Sequence, residues 1–143
     1  MLADDALGQT RETTTGADDV AYRAAFDAID RDPNHALLLA ETDGAIAGML
    51  QWTLVPGLTY CGGWRGMIEG VRVDANLRGH GVGHALIAEA IERFREAGCR
   101  LVQLTTDKRR PDAIRFYEDL GFTPSHEGMK LHLPVVEAAA EGG

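Results

Sequence analysis

The stretch Val71-Arg-Val-Asp-Ala-Asn-Leu-Arg-Gly-His-Gly-Val-Gly-His84 decides how this chain is read. A short apolar strand runs into a turn, and three alternating glycines then open a long amphipathic run. Gly79, Gly81 and Gly83 lack a Cβ, so the backbone there can approach a ligand closely. The helix that follows offers unpaired N–H groups and the positive end of its dipole, and Arg78 adds a fixed charge at the rim. Strand, glycine turn and helix N-terminus together predict a diphosphate cradle. Spacing excludes two common forms of it. A Walker A loop needs a lysine directly after its last glycine, and none follows Gly83 before the helix is under way. A dinucleotide fingerprint begins directly after its strand, whereas Asp74 to Arg78 intervene here and the third glycine comes one residue early.

Upstream of this stretch, Asp18 or Asp19 can cap a helix carrying Tyr22, Ala25, Phe26 and Ile29 at i, i+3, i+4 and i+7, ending before Asp32-Pro33-Asn34. The period then drops to two. Ala36 to Glu41 reads as a strand, Asp43-Gly44 as a hairpin turn, and Ile46, Gly48, Leu50, Trp52 and Leu54 as one face of the returning strand. A loop bounded by Pro56-Gly57 and Gly62-Gly63 precedes a strand from Arg65 to Val73, in which Gly70 suggests a bulge. Downstream, Val82, Leu86, Ala90, Phe94 and Ala97 form the inner face of a helix stopped by Gly98. Leu101 to Thr106 follows as a strand, and Pro111 opens a helix with Ala113, Phe116, Tyr117 and Leu120 on one face, closed by Gly121. Phe122 to His126 and Met129 to Leu133 read as two last strands.

The spacing Arg78-x-x-Gly81-x-Gly83 resembles the Q/R-x-x-G-x-G/A signature of the GCN5-related N-acetyltransferase (GNAT) family, whose loop binds the diphosphate of acetyl-coenzyme A. About thirty residues on, Ala113-Ile-Arg-Phe116-Tyr117-Glu-Asp-Leu-Gly121-Phe122 is similar to the family's A-x-x-F-Y-x-x-x-G-F segment. The resemblance covers roughly residues 18–133 and implies an α/β fold whose mixed, mostly antiparallel central sheet is flanked by helices. Residues 1–134 would form one acetyltransferase domain, and 135–143 a flexible tail. Family members begin with a strand and then a helix, whereas Leu2 to Gly8 resembles only the last turns of that helix. Residues 1–17 are thus expected to be a remnant of the first helix and its loop. The usual first strand is expected to be absent, or encoded upstream of Met1.

Composition narrows the partners. At 143 residues with 45% hydrophobic content, the chain suits a single globular core. No run reaches the roughly 20 apolar residues of a membrane span, and the N-terminus lacks the pattern of a signal peptide, so a cytoplasmic protein without a membrane partner is expected. The net charge of −8 argues against nucleic acid as a partner. Ten of the fourteen Lys and Arg residues, with seven acids, fall between Arg65 and Arg115, leaving four bases and fifteen acids elsewhere. The glycine loop therefore sits in the basic part, and the acidic remainder would attract a cationic acceptor. Cys61 and Cys99 have neither metal nor redox spacing and read as reduced, partly buried thiols; the histidines show no metal spacing either.

The resemblance implies acetyl transfer from acetyl-coenzyme A to an amine of a small molecule or peptide, with no metal. Backbone groups of Val71, Arg72 and Val73 would pair with the pantetheine arm as an added strand. Gly79, His80, Gly81, Val82, Gly83 and His84, with Arg78, would wrap the diphosphate. Glu69, two residues before Val71, is the candidate base; an ordinary solvated strand glutamate is the alternative, and Glu41 a weaker candidate. Tyr117 matches the family tyrosine that protonates the departing thiolate, and its alternative is an aromatic packing residue. Arg109 and Arg110 would meet the 3′-phosphate or solvate a turn. Trp52, Tyr60 and Trp64 would line the acceptor pocket or pack in the core. A catalytically silent acyl-coenzyme A sensor would need the same loop but neither base nor acid. Monomer and homodimer both stay open.

Overall fold

A computed structural model describes residues 19–135. These fall into two units divided after Leu104. The first contains helix α1 (Asp19–Arg31), strands β1 (His35–Thr42), β2 (Ala45–Val55) and β3 (Arg65–Val73), helix α2 (Val82–Glu96) and strand β4 (Leu101–Leu104). The second contains helix α3 (Pro111–Asp119) and the irregular segment after it. The sheet runs β1-β2-β3-β4, antiparallel across its first two ladders and parallel across the last.

Local chemistry explains the element ends. Asp43 and Gly44, with φ of 52° and 79°, both take the left-handed region that a two-residue hairpin turn requires. Because β3 and β4 are parallel, the chain must cross over between them, and α2 is that crossover. It stops in a Schellman motif: the Cys99 N–H donates to Phe94 O and the Gly98 N–H to Arg95 O, both at 3.0 Å. The end of α3 repeats the device through Phe122 to Tyr117 O and Gly121 to Glu118 O.

The core lies between α2 and one face of the sheet. Leu86, Ile87, Ala90 and Phe94 are buried there with Leu38, Leu50, Trp52 and Ile68. Phe94 stacks on Trp52, ring centroids 4.9 Å apart at 11°. That pair sits so close to β3 that a Cβ on Gly66 would lie 2.3 Å from Phe94 Cδ1. Gly66→Ala is accordingly expected to destabilise the protein by about 1–3 kcal/mol, through overpacking, read as a lower midpoint in urea unfolding.

Several expectations need correction. The segments 122–126 and 129–133 form no strand. Pro124 removes a ladder donor, and the alternating Met129, Leu131 and Leu133 are 93%, 86% and 78% exposed. Strand β4 ends at Leu104, two residues early, where the sequence turns polar. Cys61 is exposed, because Tyr60 and Cys61 take left-handed φ of 54° and 58° in a turn that projects from β2 and β3. Ala97 is exposed, and Ile87 holds an inner place on α2. Asp18, the helix remnant and residues 136–143 lie outside the described residues. Among the described residues, no helix is long and apolar enough to cross a membrane.

Candidate functional site

The parallel ladder between β3 and β4 is short. It runs from Arg65↔Leu101 to Ile68↔Leu104, and β4 then ends while β3 continues to Val73. From Glu69 to Val73, the side of β3 that faced β4 therefore has no strand partner among the described residues, and its backbone can receive an extended ligand. The register against β2 shifts between Met49↔Arg72 and Gln51↔Glu69, which leaves one extra residue on β3. Gly70 lies in this bulge with a φ of +62°, and no atom lies within 4 Å of where its Cβ would be. The bulge anticipated from Gly70 is present.

Beyond Val73 the chain turns sharply. Asp74 donates its N–H to Ala47 O at 2.8 Å, and its carboxylate accepts from the Asn76 N–H at 2.9 Å, capping a single 3-10 turn, Ala75–Leu77. This fixes where the glycine loop begins. Gly79 and Gly81 have φ of 81° and 83°, with open space at both Cβ positions. Gly83 is already the second residue of α2. Gly81 is the N-cap and has no side chain to fill the helix end, and the first bond into the helix runs from the Ala85 N–H to Gly81 O at 3.0 Å. The Val82 and Gly83 N–H groups thus have no acceptor within the helix and carry its positive dipole end.

Two arginines fold back onto the strand. Arg72 Nη1 donates to the Val71 carbonyl at 2.7 Å, so that oxygen has one lone pair engaged from within the strand. Arg78 Nε donates to Val73 O at 3.4 Å, folding its guanidinium back over the strand end. His80, His84 and Glu69 are exposed. Read from the sequence, strand β4 ends at the polar run Thr105-Thr106-Asp107, and the ladder ends just before it, at Ile68 and Leu104.

The model of the acetyltransferase (GNAT) family matches residues 5–122. This chain belongs to the GNAT family. It is an acyltransferase by that membership. It is 37% identical over 106 residues to the aminoalkylphosphonate N-acetyltransferase of Salmonella typhimurium, covering 74% of this chain and 68% of that enzyme. It is 38% identical over 90 residues to the glucosamine 6-phosphate N-acetyltransferase of Trypanosoma brucei brucei, covering 63% of this chain and 59% of that enzyme. Among solved structures, a transcriptional regulator from Bacillus halodurans C-125 is 54% identical with a TM-score of 0.90, covering 93% of this chain and 89% of that one.

The second unit of this GNAT chain holds Tyr117 on α3. Its ring is half-buried, edge-on to Phe116 at 5.1 Å and to Phe122 at 5.9 Å. The turn before α3 is organised by Asp107, which accepts from the Arg109 N–H, Nε and Nη2 at 2.9, 3.0 and 2.7 Å. Arg109, considered for a phosphate contact, is thereby committed to a carboxylate. These bonds hold the Asp107 carboxyl well below its ordinary range. A lowered carboxyl stabilises the folded turn above the ordinary value, near 3.8, and that stabilisation is lost as pH falls through the lower folded value. Limited proteolysis between pH 6 and pH 2 should show the turn opening at the acid end, and Asp107→Asn should open it at every pH. Among the described residues, no group of three or more His, Cys, Asp or Glu could hold a metal.

Proposed function

We propose that this GNAT enzyme transfers an acetyl group from acetyl-coenzyme A to the primary amine of a small molecule or peptide. One observation carries the reading: a β3 edge that among the described residues is unpaired from Glu69 to Val73 leads through two left-handed glycines to the N-terminus of α2, which has no side-chain cap. An extended arm ending in a diphosphate fits that sequence of backbone groups, and the open space at Gly70, Gly79 and Gly81 leaves room for it. Bound there, acetyl-coenzyme A supplies an activated thioester. Val71, Arg72 and Val73 would pair with the arm, and the loop from Gly79 to His84 would hold the diphosphate, with Arg78 swinging from Val73 O to reach it. The Val71 N–H would polarise the acyl carbonyl.

The acceptor needs a base, because an alkylamine with a pKa near 10.4 is neutral in roughly one molecule in 2,500 at pH 7. Glu69 stands exposed beside the Gly70 bulge, where the β4 ladder has ended, and would take the proton through water. Tyr117 would return one to the thiolate. Replacing the base should leave binding intact and alter the pH dependence: Glu69→Gln is expected to lower kcat about tenfold and to remove the acid limb of the pH–rate profile. An unchanged acid limb would take Glu69 out of the role.

The acceptor is tested by thiol release from acetyl-coenzyme A across an amine panel. Aminoalkylphosphonates head the panel because of the Salmonella relative, and polyamines follow because the rest of the chain is acidic. The 54% identity to a transcriptional regulator favours a second reading, a silent acyl-coenzyme A sensor. Tight cofactor binding without thiol release for any amine would select it.

A further inference from the structure

The bulge at Gly70 changes which side chains of β3 share a face. On β2, Gly48, Leu50 and Trp52 turn towards α2: Leu50 and Trp52 are buried, Trp52 stacks on Phe94, and a Cβ on Gly48 would lie 2.8 Å from Leu86 Cδ1. Met49 and Gln51 alternate with them and take the other face of the sheet. Directly opposed residues of an antiparallel ladder share a face, and Gln51 opposes Glu69 while Met49 opposes Arg72. Glu69 and Arg72 therefore stand on one face. A regular strand would send residues three apart to opposite faces, and the extra residue in the bulge brings them back to the same one. The two positions are about 7 Å apart, the rise of two strand residues.

Arg72 is also tied to the reacting end of the cofactor site. Its Nη1 donates to the Val71 carbonyl at 2.7 Å, and Val71 carries the N–H assigned above to the acyl carbonyl. The guanidinium thus lies beside the place where the thioester would be delivered, on the face that bears the proposed base. An arginine keeps its charge at every working pH and presents five donors in a planar fork, so it can hold a backbone carbonyl and receive an oxyanion together. Arg72 is half-buried, where a charged hydrogen bond is screened less than at an exposed position.

We infer that Arg72 selects the acceptor: an amine with an anionic group, a phosphonate or a carboxylate, a few bonds from its nitrogen. The nitrogen would lie by Glu69 and the oxyanion on the guanidinium. This assignment rests on the acetyl transfer and the base proposed above. The acidic balance of the rest of the chain favours a polyamine instead. The local charge outweighs it, because charges farther than about 8 Å across solvent are largely screened, whereas a second ammonium group on the acceptor would meet Arg72 directly.

Thiol release from acetyl-coenzyme A should be followed with acceptors of matched length: aminoethylphosphonate, β-alanine, propylamine and a diaminopropane. The wild-type chain is expected to use the better anion with a kcat/KM about thirtyfold above that for propylamine, and to use the diamine least. Whichever anion is faster supports the inference and names the oxyanion. Arg72→Met should bring the ratio close to one. Arg72→Lys, which keeps the charge and loses the fork, should retain part of it, and Arg72→Glu should turn the preference towards the diamine. Each ratio compares two acceptors on the same variant, so a change in cofactor affinity cancels. A ratio that Arg72→Met leaves unchanged would overturn the inference, as would a wild type that prefers propylamine or the diamine; acetyl transfer itself would stand in both cases. An absence of thiol release with every amine would instead remove the transferase reading, and this assignment with it.

Discussion

Replacing Tyr117 by Phe is expected to lower kcat about a hundredfold while leaving the affinity for acetyl-coenzyme A nearly unchanged. The argument runs from the chemistry of the leaving group. A thiolate departing from the acyl carbon must be protonated, and a phenol is matched to that task because its ordinary pKa, near 10, is close to that of the thiol it serves. The aromatic ring itself is retained by the substitution, so its edge-on contacts with Phe116 and Phe122 persist and α3 should stay folded. Only the hydroxyl is removed. Steady-state kinetics with a saturating amine, together with equilibrium binding of coenzyme A, separate the two quantities. Equal turnover in the variant would reduce Tyr117 to a packing residue.

The second large effect belongs to the glycine loop. Gly81 holds a φ of 83° at the N-cap of α2, and a left-handed conformation costs an ordinary L-residue roughly 1–2 kcal/mol, more when it is β-branched. Gly81→Val should therefore let the loop relax away from the shape that presents the Val82 and Gly83 N–H groups, and cofactor binding would have to restore it. About 2 kcal/mol corresponds to roughly a thirtyfold rise in the KM for acetyl-coenzyme A. Because no atom lies within 4 Å of the Cβ position, the first added carbon has open space, and α2 should stay docked. A thermal midpoint close to wild type alongside the raised KM would confirm that separation; an unchanged KM would remove the loop from cofactor binding.

How legible these features were in the sequence follows from the range of the interactions that make them. Helix stops at Gly98 and Gly121, the Asp43-Gly44 turn and the bulge at Gly70 are local backbone requirements, and glycine or aspartate at the right position announces them. The loop and α2 were readable for the same reason. The Gly66–Phe94 approach depends on neighbours distant in the chain, and no local pattern reports it, whereas Ile87 stands at i, i+3 and i+7 with Ala90 and Phe94 and was legible from the helical period. Met129, Leu131 and Leu133 show the opposite failure: their alternation is a good local strand signal, but a strand needs a ladder partner, and periodicity carries no information about one. Within the candidate site, the residue types were legible while their hydrogen bonds were not. Nothing in the order Val71-Arg72 says that the guanidinium will turn back onto the preceding carbonyl.

The stack of Trp52 on Phe94 has a consequence for light. The chain has two tryptophans, and they sit in opposite settings: Trp52 is 9% exposed beneath α2, and Trp64 is 40% exposed in the turn before β3. With Trp64 changed to Phe, the emission comes from Trp52 alone, shielded from solvent by the very helix whose first turn begins at the glycine loop. Its colour then becomes an internal gauge of whether that helix is seated. A red shift would mark the lifting of α2 from the sheet without any label being attached.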